Sequence, residues 1–337
     1  MARSAFPVRP GTRYGRSVAI RTLAVVSTGA MGSALAGVWL AGGVRVVATA
    51  SGRSERTHRL AERAGVELLP DVDAVVAAAD AVVSVVPPGR AAAVARDVAA
   101  AASRARVTPL FADLNAIAPR TVRDLDHGRL DLVDGSISGP PPLRPDTTTV
   151  YLSGRRAGEL ADVPSPGLDL RVVGLEIGLA SAVKMSTASV YKGTVALLAH
   201  ALAAARHHGV LDEVLDDLRG SYPQLVTSPG PVVGRAAAKS PRYVDEMREI
   251  AASQREAGLT PALFDAMAIV YGELARSDLA GRPPEALAAA DLESVLASLS
   301  AAGAGRSVAA AMPPVPSADR DGAPRPRGRL FGRGRGE

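Results

Sequence analysis

Lysine is scarce in this chain. Of 39 Lys and Arg residues, Lys184, Lys192 and Lys239 are the three lysines. Arginine keeps its proton in proteins, whereas a partly buried lysine can lose and regain one. A lysine retained among so many arginines therefore marks a position where proton exchange is a chemical option. Lys184 is the leading candidate. It closes the run Gly178-Leu179-Ala180-Ser181-Ala182-Val183-Lys184, whose small residues let a helix pack closely. Thr187, Ala188 and Tyr191 follow at i+3, i+4 and i+7, on the same helical face. The competing reading is a helix lysine whose stem lies along an alanine-rich face with its ammonium in water. Spacing leaves both open.

Two further segments could meet a substrate. Residues 134–142, Asp-Gly-Ser-Ile-Ser-Gly-Pro-Pro-Pro, read as a loop after a strand. There Ser138 and the Gly139 N–H could hold a carboxylate or hydroxyl, while the prolines offer no N–H; a rigid turn is the alternative. Asn115 follows the 110–113 strand. It could face the nicotinamide or the substrate, or form an Asx turn or cap the helix near Pro119. The five histidines show no metal-ligand spacing and the chain has no cysteine, so no metal is expected.

A nucleotide site is written in the first turn. Leu23–Val26 is a buried-strand run, and Ser27-Thr28-Gly29-Ala30-Met31-Gly32 turns out of it into a helix over 33–40. A second strand starts at Val44. A glycine turn between strand and helix puts backbone N–H groups where a diphosphate binds. Gly29 lets the backbone approach the phosphates, and Gly32 allows helix and strand to pack closely. Ser27 stands where a first glycine is expected, and is tolerated there if its φ is negative. At the end of the second strand the chain reads Thr49-Ala50-Ser51-Gly52-Arg53-Ser54-Glu55-Arg56, with no acid before Glu55 to hold a ribose hydroxyl. Arg53 can stack on adenine or fork onto a 2′-phosphate, Ser54 can donate to it, and Arg56 adds charge. That favours NADPH over NADH; a solvated arginine pair is the alternative. Pro87 ends the 81–86 strand where the chain would pass the cofactor, or is a structural stop.

The elements that position these residues follow an α/β pattern. Short Val/Ile/Leu runs at 81–86, 110–113 and 130–133 alternate with alanine-rich helices such as 91–102, the mark of a doubly wound, Rossmann-type parallel sheet. Runs at 148–152 and 170–173 extend it. After Gly178 strands stop. Residues 179–208 predict one helix of roughly 30 residues, ~45 Å long, ended by Gly209. Helices at 210–219, 241–257, 260–276 and 284–300 follow, with Pro241, Pro261 and Pro284 near their starts.

Charge is uneven. Residues 1–22 carry five Arg and no acid, and 303–337 carry seven Arg against three acids, leaving a net −4 for residues 23–302. Those ends are too rich in Pro, Gly and Arg to bury a core, and read as solvated tails; no nucleic-acid partner is expected. The expected division is a flexible extension over 1–22, a cofactor domain over 23–175, an all-helical domain over 176–302 and a disordered tail over 303–337. Apolar runs are broken before the ~20 residues of a membrane span. Arg3, Arg9 and Arg13 precede no long apolar stretch. A cytoplasmic protein with no membrane partner is therefore expected.

Together these motifs resemble the β-hydroxyacid dehydrogenase family, which includes 3-hydroxyisobutyrate and 6-phosphogluconate dehydrogenases. The family's G-x-G-x-M-G turn is similar to residues 27–32, its Asn-Arg-Ser/Thr element to Gly52-Arg53-Ser54, its D-x-x-x-S-G-G loop to 134–140, and its G-x-x-x-x-x-K helix to 178–184. The chain departs from it at Ser27, at Pro140, and at Thr187 and Ala188, where the family usually carries Asn. The resemblance implies that Lys184 is catalytic, that Ser138, Gly139, Asn115 and Tyr191 lie around a small-molecule substrate, and that the protein is a homodimer joined through its helical domain. The implied reaction moves hydride between NADP and a small hydroxy acid or related carbonyl compound. An imine or ketone reductase, and a non-catalytic NADPH-binding protein, are the alternatives.

Overall fold

The structure is a computed structural model that describes residues 19–125 and 130–303. The basic extension up to residue 18, the tail from residue 304 and His127 lie outside the described residues. The chain opens β1 (Thr22–Val26), α1 (Ala30–Ala41), β2 (Arg45–Thr49), α2 (Glu55–Ala64), β3 (Glu67–Leu69), α3 (Val72–Ala78), β4 (Ala81–Ser84), α4 (Ala91–Ala105), β5 (Leu110–Asp113) and α5 (Pro119–Arg123). β6 (Asp131–Ser138), β7 (Thr149–Ser153), α6 (Ala157–Ala161) and β8 (Asp169–Gly174) complete the sheet region. Helices follow: α7 (Leu179–His208), α8 (Leu211–Ser221), α9 (Pro223–Val226), α10 (Pro229–Glu256), α11 (Ala262–Leu274) and α12 (Leu292–Gly303).

The eight strands form one sheet in the order β3-β2-β1-β4-β5-β6-β7-β8. All neighbours pair parallel except β6 and β7, which run antiparallel. This is the expected Rossmann-type α/β sheet followed by helices. Strands such as Ala81-Val82-Val83-Ser84 are buried at every position, because helices cover both faces. One face packs on Leu35, Ala36 and Trp39 of α1, the other on Val75 and Val76 of α3 and Val94 and Val98 of α4. A third core, built from α7, α10, α11 and α12, includes Leu202, Val233, Met247, Tyr271 and Leu296.

Several boundaries differ from expectation. β6 continues to Ser138, so residues 134–138 are strand and only 139–142 form the loop. The first helix already begins at Ala30, which puts Ala30, Met31 and Gly32 in its first turn. Pro241 lies inside α10 rather than at a helix start. A proline there leaves the carbonyl four residues back without its N–H partner. The buried Ser240 hydroxyl donates to that carbonyl, Ala237 O, at 2.6 Å, which explains why the helix continues. The span 284–300 is split: a short 3₁₀ turn covers Pro284–Leu287. Asp291 then caps α12, accepting from the Ser294 N–H at 2.9 Å. Finally, α7 is long and apolar enough to meet the composition of a membrane span, contrary to the reading that every apolar run is too short; half of its most apolar window is buried against protein.

Candidate functional site

The first wall of the site is the β1–α1 turn. Ser27 has φ +78°, so the expected negative φ is wrong. The chain reverses from strand to helix through a left-handed residue, a conformation costing a non-glycine residue roughly 1–2 kcal/mol. Gly32 is required by packing, since a Cβ there would lie 2.1 Å from the Ser27 carbonyl oxygen. Gly29 is different: a Cβ would meet only Ser27 Oγ at 4.0 Å. Its bareness serves space outside the protein's own packing, where a diphosphate would approach the start of α1. Thr28 is fully buried and its hydroxyl has no hydrogen-bond partner. The first turn of α1 carries no acid, so its N–H groups and dipole stay available to an anion. These residues fit a dinucleotide.

Beside that turn a cleft of about 280 Å³ opens over the carboxyl ends of β1 and β2, lined by Ser27, Thr49, Ser51, Arg53, Arg90 and Asp97 among others. Arg53 lines this cleft. Arg90 was missed. Its signal is the Pro87-Pro88-Gly89-Arg90 turn, in which the Pro87 carbonyl accepts from the Arg90 N–H at 2.9 Å and carries Arg90 to the cleft. Pro87 itself is exposed. Ser54 caps α2, its hydroxyl accepting from the Thr57 N–H at 3.4 Å, and Arg56 is exposed on the first turn of that helix. Neither forms part of the cleft lining.

The second wall is the contact between β6 and the start of α7. Asp134 is fully buried and acts as the anchor. Its Oδ2 accepts from the N–H groups of Gly178 at 2.9 Å and Ser181 at 3.0 Å, and from Ser153 Oγ at 2.8 Å; its Oδ1 accepts from Ser181 Oγ at 2.6 Å. A carboxylate on helix N-terminal N–H groups is a favoured cap. Ser136 Oγ donates to Ala180 O at 2.8 Å. With the helix so registered, Lys184 Nζ reaches the end of the strand and donates to Ile137 O at 2.7 Å. Lys184 is half-buried. Burial, and then the nearby Arg242 charge, lower its pKa from the ordinary lysine value. A primary amine is thus held beside the end of β6, with its pKa lowered.

Ser138 is half-buried at the strand end and Gly139 is exposed. Gly139 has φ +122°, and a Cβ there would fall 2.4 Å from Thr147 O, so no other residue fits. The Pro140 carbonyl accepts from Thr148 Oγ1 at 2.6 Å, which fixes the loop where the family pattern has glycine. Thr187 is exposed and bonds back to Val183 O at 3.0 Å, and Ala188 packs into the helical core. Tyr191 is exposed and lines a separate recess with Lys192. Asn115 requires correction. It turns inward, 3 % exposed, rather than toward the crevice. Its Oδ1 accepts from the Val86 N–H at 2.6 Å; its Nδ2 donates to Ser84 Oγ at 3.0 Å and Asp113 Oδ2 at 2.6 Å. Asn115 therefore braces the ends of β4 and β5. Burial drives Asp113 beneath it up to about 7.

Known proteins resemble this chain in both its sheet and its helical part. Residues 22–108 match the family described as NADP oxidoreductase coenzyme F420-dependent, and residues 205–274 match a domain of unknown function, DUF1932. The chain is 28% identical over 179 residues to an uncharacterized 28.5 kDa protein from the 7S RNA 5′ region of Methanothermus fervidus, spanning 52% of this chain and 67% of the relative. A solved conserved protein of unknown function, itself described as structurally similar to 3-hydroxyacid dehydrogenases, is 28% identical with a TM-score of 0.57, covering 75% of this chain and 96% of its own. A conserved hypothetical protein from Sinorhizobium meliloti 1021 is 27% identical with a TM-score of 0.60, covering 83% and 96%. The Mycobacterium tuberculosis 3-hydroxyisobutyrate dehydrogenase, 20% identical with a TM-score of 0.58 over 83% of this chain and 99% of its own, shares the fold. With its dinucleotide turn, its capped Lys184 helix and these relatives, the chain is similar to β-hydroxyacid dehydrogenase-like proteins and has their NAD(P)-dependent oxidoreductase fold.

Proposed function

We propose that this protein is an NADPH-dependent oxidoreductase acting on a small hydroxy acid or the related carbonyl compound. The observation that carries this is the placement of Lys184 Nζ on Ile137 O, 2.7 Å away, beside Ser138 and Gly139. A bound nicotinamide cofactor would supply the hydride exchange with the carbinol or carbonyl carbon. The protein's part is the proton. As free amine, Lys184 takes the hydroxyl proton as the C–O bond becomes a carbonyl; as ammonium, it returns that proton in the reverse direction. Ile137 O aims the nitrogen, and Ser138 with the Gly139 N–H is suited to hold the substrate carboxylate. Ser27, Thr28, Gly29 and the first turn of α1 suit the diphosphate. Arg53, which lines the same cleft as Arg90, supports the 2′-phosphate and hence NADPH, because residues 49–54 at the end of β2 hold no acid for a ribose, although Asp71 and Asp97 also line the cleft.

The test is turnover of a panel of hydroxy acids with NADP⁺ and NAD⁺, on wild type and Lys184→Ala. Oxidation with NADP⁺ that falls by roughly 10²–10⁴-fold in the variant supports the reading. Activity retained by Lys184→Ala on ketones or imines would replace it with a reductase that does not use the lysine. NADPH binding without turnover on any member of the panel would favour a non-catalytic role.

A further inference from the structure

Ser138 and the Gly139 N–H can orient a substrate carboxylate, but neither carries a charge. Lys184 cannot supply one in the oxidising direction, since it must be a free amine to take the hydroxyl proton. A charged group taken out of water is costly unless it is paired. An anionic substrate therefore needs a second cation at this site, one that keeps its charge while Lys184 is neutral. Arginine meets that condition, because it does not give up its proton.

Arg242 is placed for that part. It lies on α10, which packs against α7. Three residues on, Asp245 Oδ2 lies 3.6 Å from where a Cβ on Gly89 would be. This stretch of α10 therefore rests on the Pro88-Gly89-Arg90 turn, whose Arg90 lines the cofactor cleft. Toward α7, the Arg242 guanidinium is 5.4 Å from the Tyr243 ring centroid, and the Lys192 ammonium sits 4.5 Å from the same centroid. Lys192 is about two turns beyond Lys184 on α7. The Arg242 charge reaches Lys184 itself and, after burial, lowers its pKa. Arg242 thus stands between the turn that borders the cofactor and the helix that carries the amine.

Its charge is only partly met within the protein. Among the described residues, the acid within ion-pairing distance of Arg242 is Glu246, 3.5 Å from its Nε. Glu246 is buried and also pairs with Lys192, so two cations share one carboxylate. Asp245 pairs instead with Arg248, at 3.1 Å. Lys192 is buried with its partner, whereas the Arg242 side chain is 58% exposed. Of these two cations, Arg242 is the one a ligand can reach.

We propose that Arg242 pairs with the substrate carboxylate that Ser138 and Gly139 orient, and so selects hydroxy acids over neutral alcohols. The inference rests on the hydroxy-acid reading above and adds to it the residue that sets the charge of the substrate. Glu246 and the Tyr243 ring position the guanidinium. Because Arg242 stays charged in both directions of the reaction, the carboxylate is neutralised without drawing on the proton that Lys184 exchanges.

The experiment is a ligand-observed NMR titration of the full chain with 3-hydroxypropionate and 4-hydroxybutyrate, and with their amides as neutral controls. Saturation transfer is followed with and without NADP⁺, on wild type, Arg242→Gln, Arg242→Lys and Lys184→Ala. At least one acid is expected to bind wild type about tenfold or more tightly than its amide, and Arg242→Gln to remove that difference. Arg242→Lys, which keeps the charge but not the fork, is expected to keep part of it. Equal binding of acids and amides by wild type, or no binding of either acid, would overturn the proposal. A preference for the acid that survives in Arg242→Gln and is lost in Lys184→Ala would assign the charge to the lysine, and would overturn it too. Binding is read without turnover. An acid preference lost in Arg242→Gln therefore supports the role of Arg242 even if Lys184→Ala retains turnover, the result that would defeat the hydroxy-acid reaction. Circular dichroism of each variant separates a lost contact from a lost fold.

Discussion

Ser27 holds a left-handed backbone that glycine would adopt without strain. Glycine also gains entropy when unfolded, so the two effects partly offset. With φ at +78° relief of strain is the larger, and Ser27→Gly is expected to raise stability by up to about 1 kcal/mol. Denaturant titration checks this; a loss of stability would show that the Ser27 hydroxyl contributes more than the backbone costs. Lys184 allows a second prediction, in which the sign matters. Its pKa is lowered by burial and by Arg242. The free amine, needed to accept a proton, therefore appears at lower pH than for an ordinary lysine near ~10.4. Oxidation of the hydroxy acid is expected to rise with pH, with a midpoint below that value. Reduction, which needs the ammonium, is expected to fall over the same range. The pH–rate profiles in both directions decide it, and a midpoint at or above the ordinary lysine value would mean that Lys184 is not the titrating group.

The elements were legible where the signal is local. The 30-residue span of α7, its end at Gly209 and the order of strands and helices follow from periodicity, glycine and proline. Features set by partners distant in sequence were not. No local signal shows that Asp134 would cap a helix 44 residues later, that Ser240 would satisfy the carbonyl freed by Pro241, or that Asn115 would spend its amide on Ser84 and Asp113. Arg90 was hidden for the same reason: only the packed turn after Pro87 brings it to the cleft that Arg53 also lines. At this scale α7 and α11 also present an apolar face, with Val190 at 72%, Leu197 at 65% and Leu263 at 55% exposure. Large exposed apolar groups on adjacent helices are suited to a partner surface. We propose that a second copy of the chain covers them. Leu197→Glu is expected to convert a dimer to monomer in light scattering. A wild-type monomer, or a dimer indifferent to the substitution, would contradict this.

The whole molecule is held together across its sheet and helical layers. Glu249 on α10 accepts from the Ala118 N–H at 2.7 Å and from Thr121 Oγ1 at 2.8 Å, tying the helical layer to the end of α5. Asp113, buried at the end of β5, sets a stability trend with pH. Its pKa is raised to about 7 in the folded protein, by burial first, against about 3.9 unfolded. Between those values the folded state binds more protons than the unfolded one, so stability falls as pH rises from about 4 to 7. Asp113→Asn, neutral throughout, is expected to flatten the decline in thermal midpoint between pH 5 and 8; an equally steep decline in the variant would assign it to other groups.

The central claim is that this fold holds NADPH and uses it. Its most direct test is calorimetric titration with NADPH and with NADH, on wild type and on Arg53→Ala. NADPH binding at least about tenfold tighter than NADH, with that difference lost in Arg53→Ala, is the expected result. Binding of neither cofactor to the wild type, or equal binding of both that Arg53→Ala leaves unchanged, would contradict it.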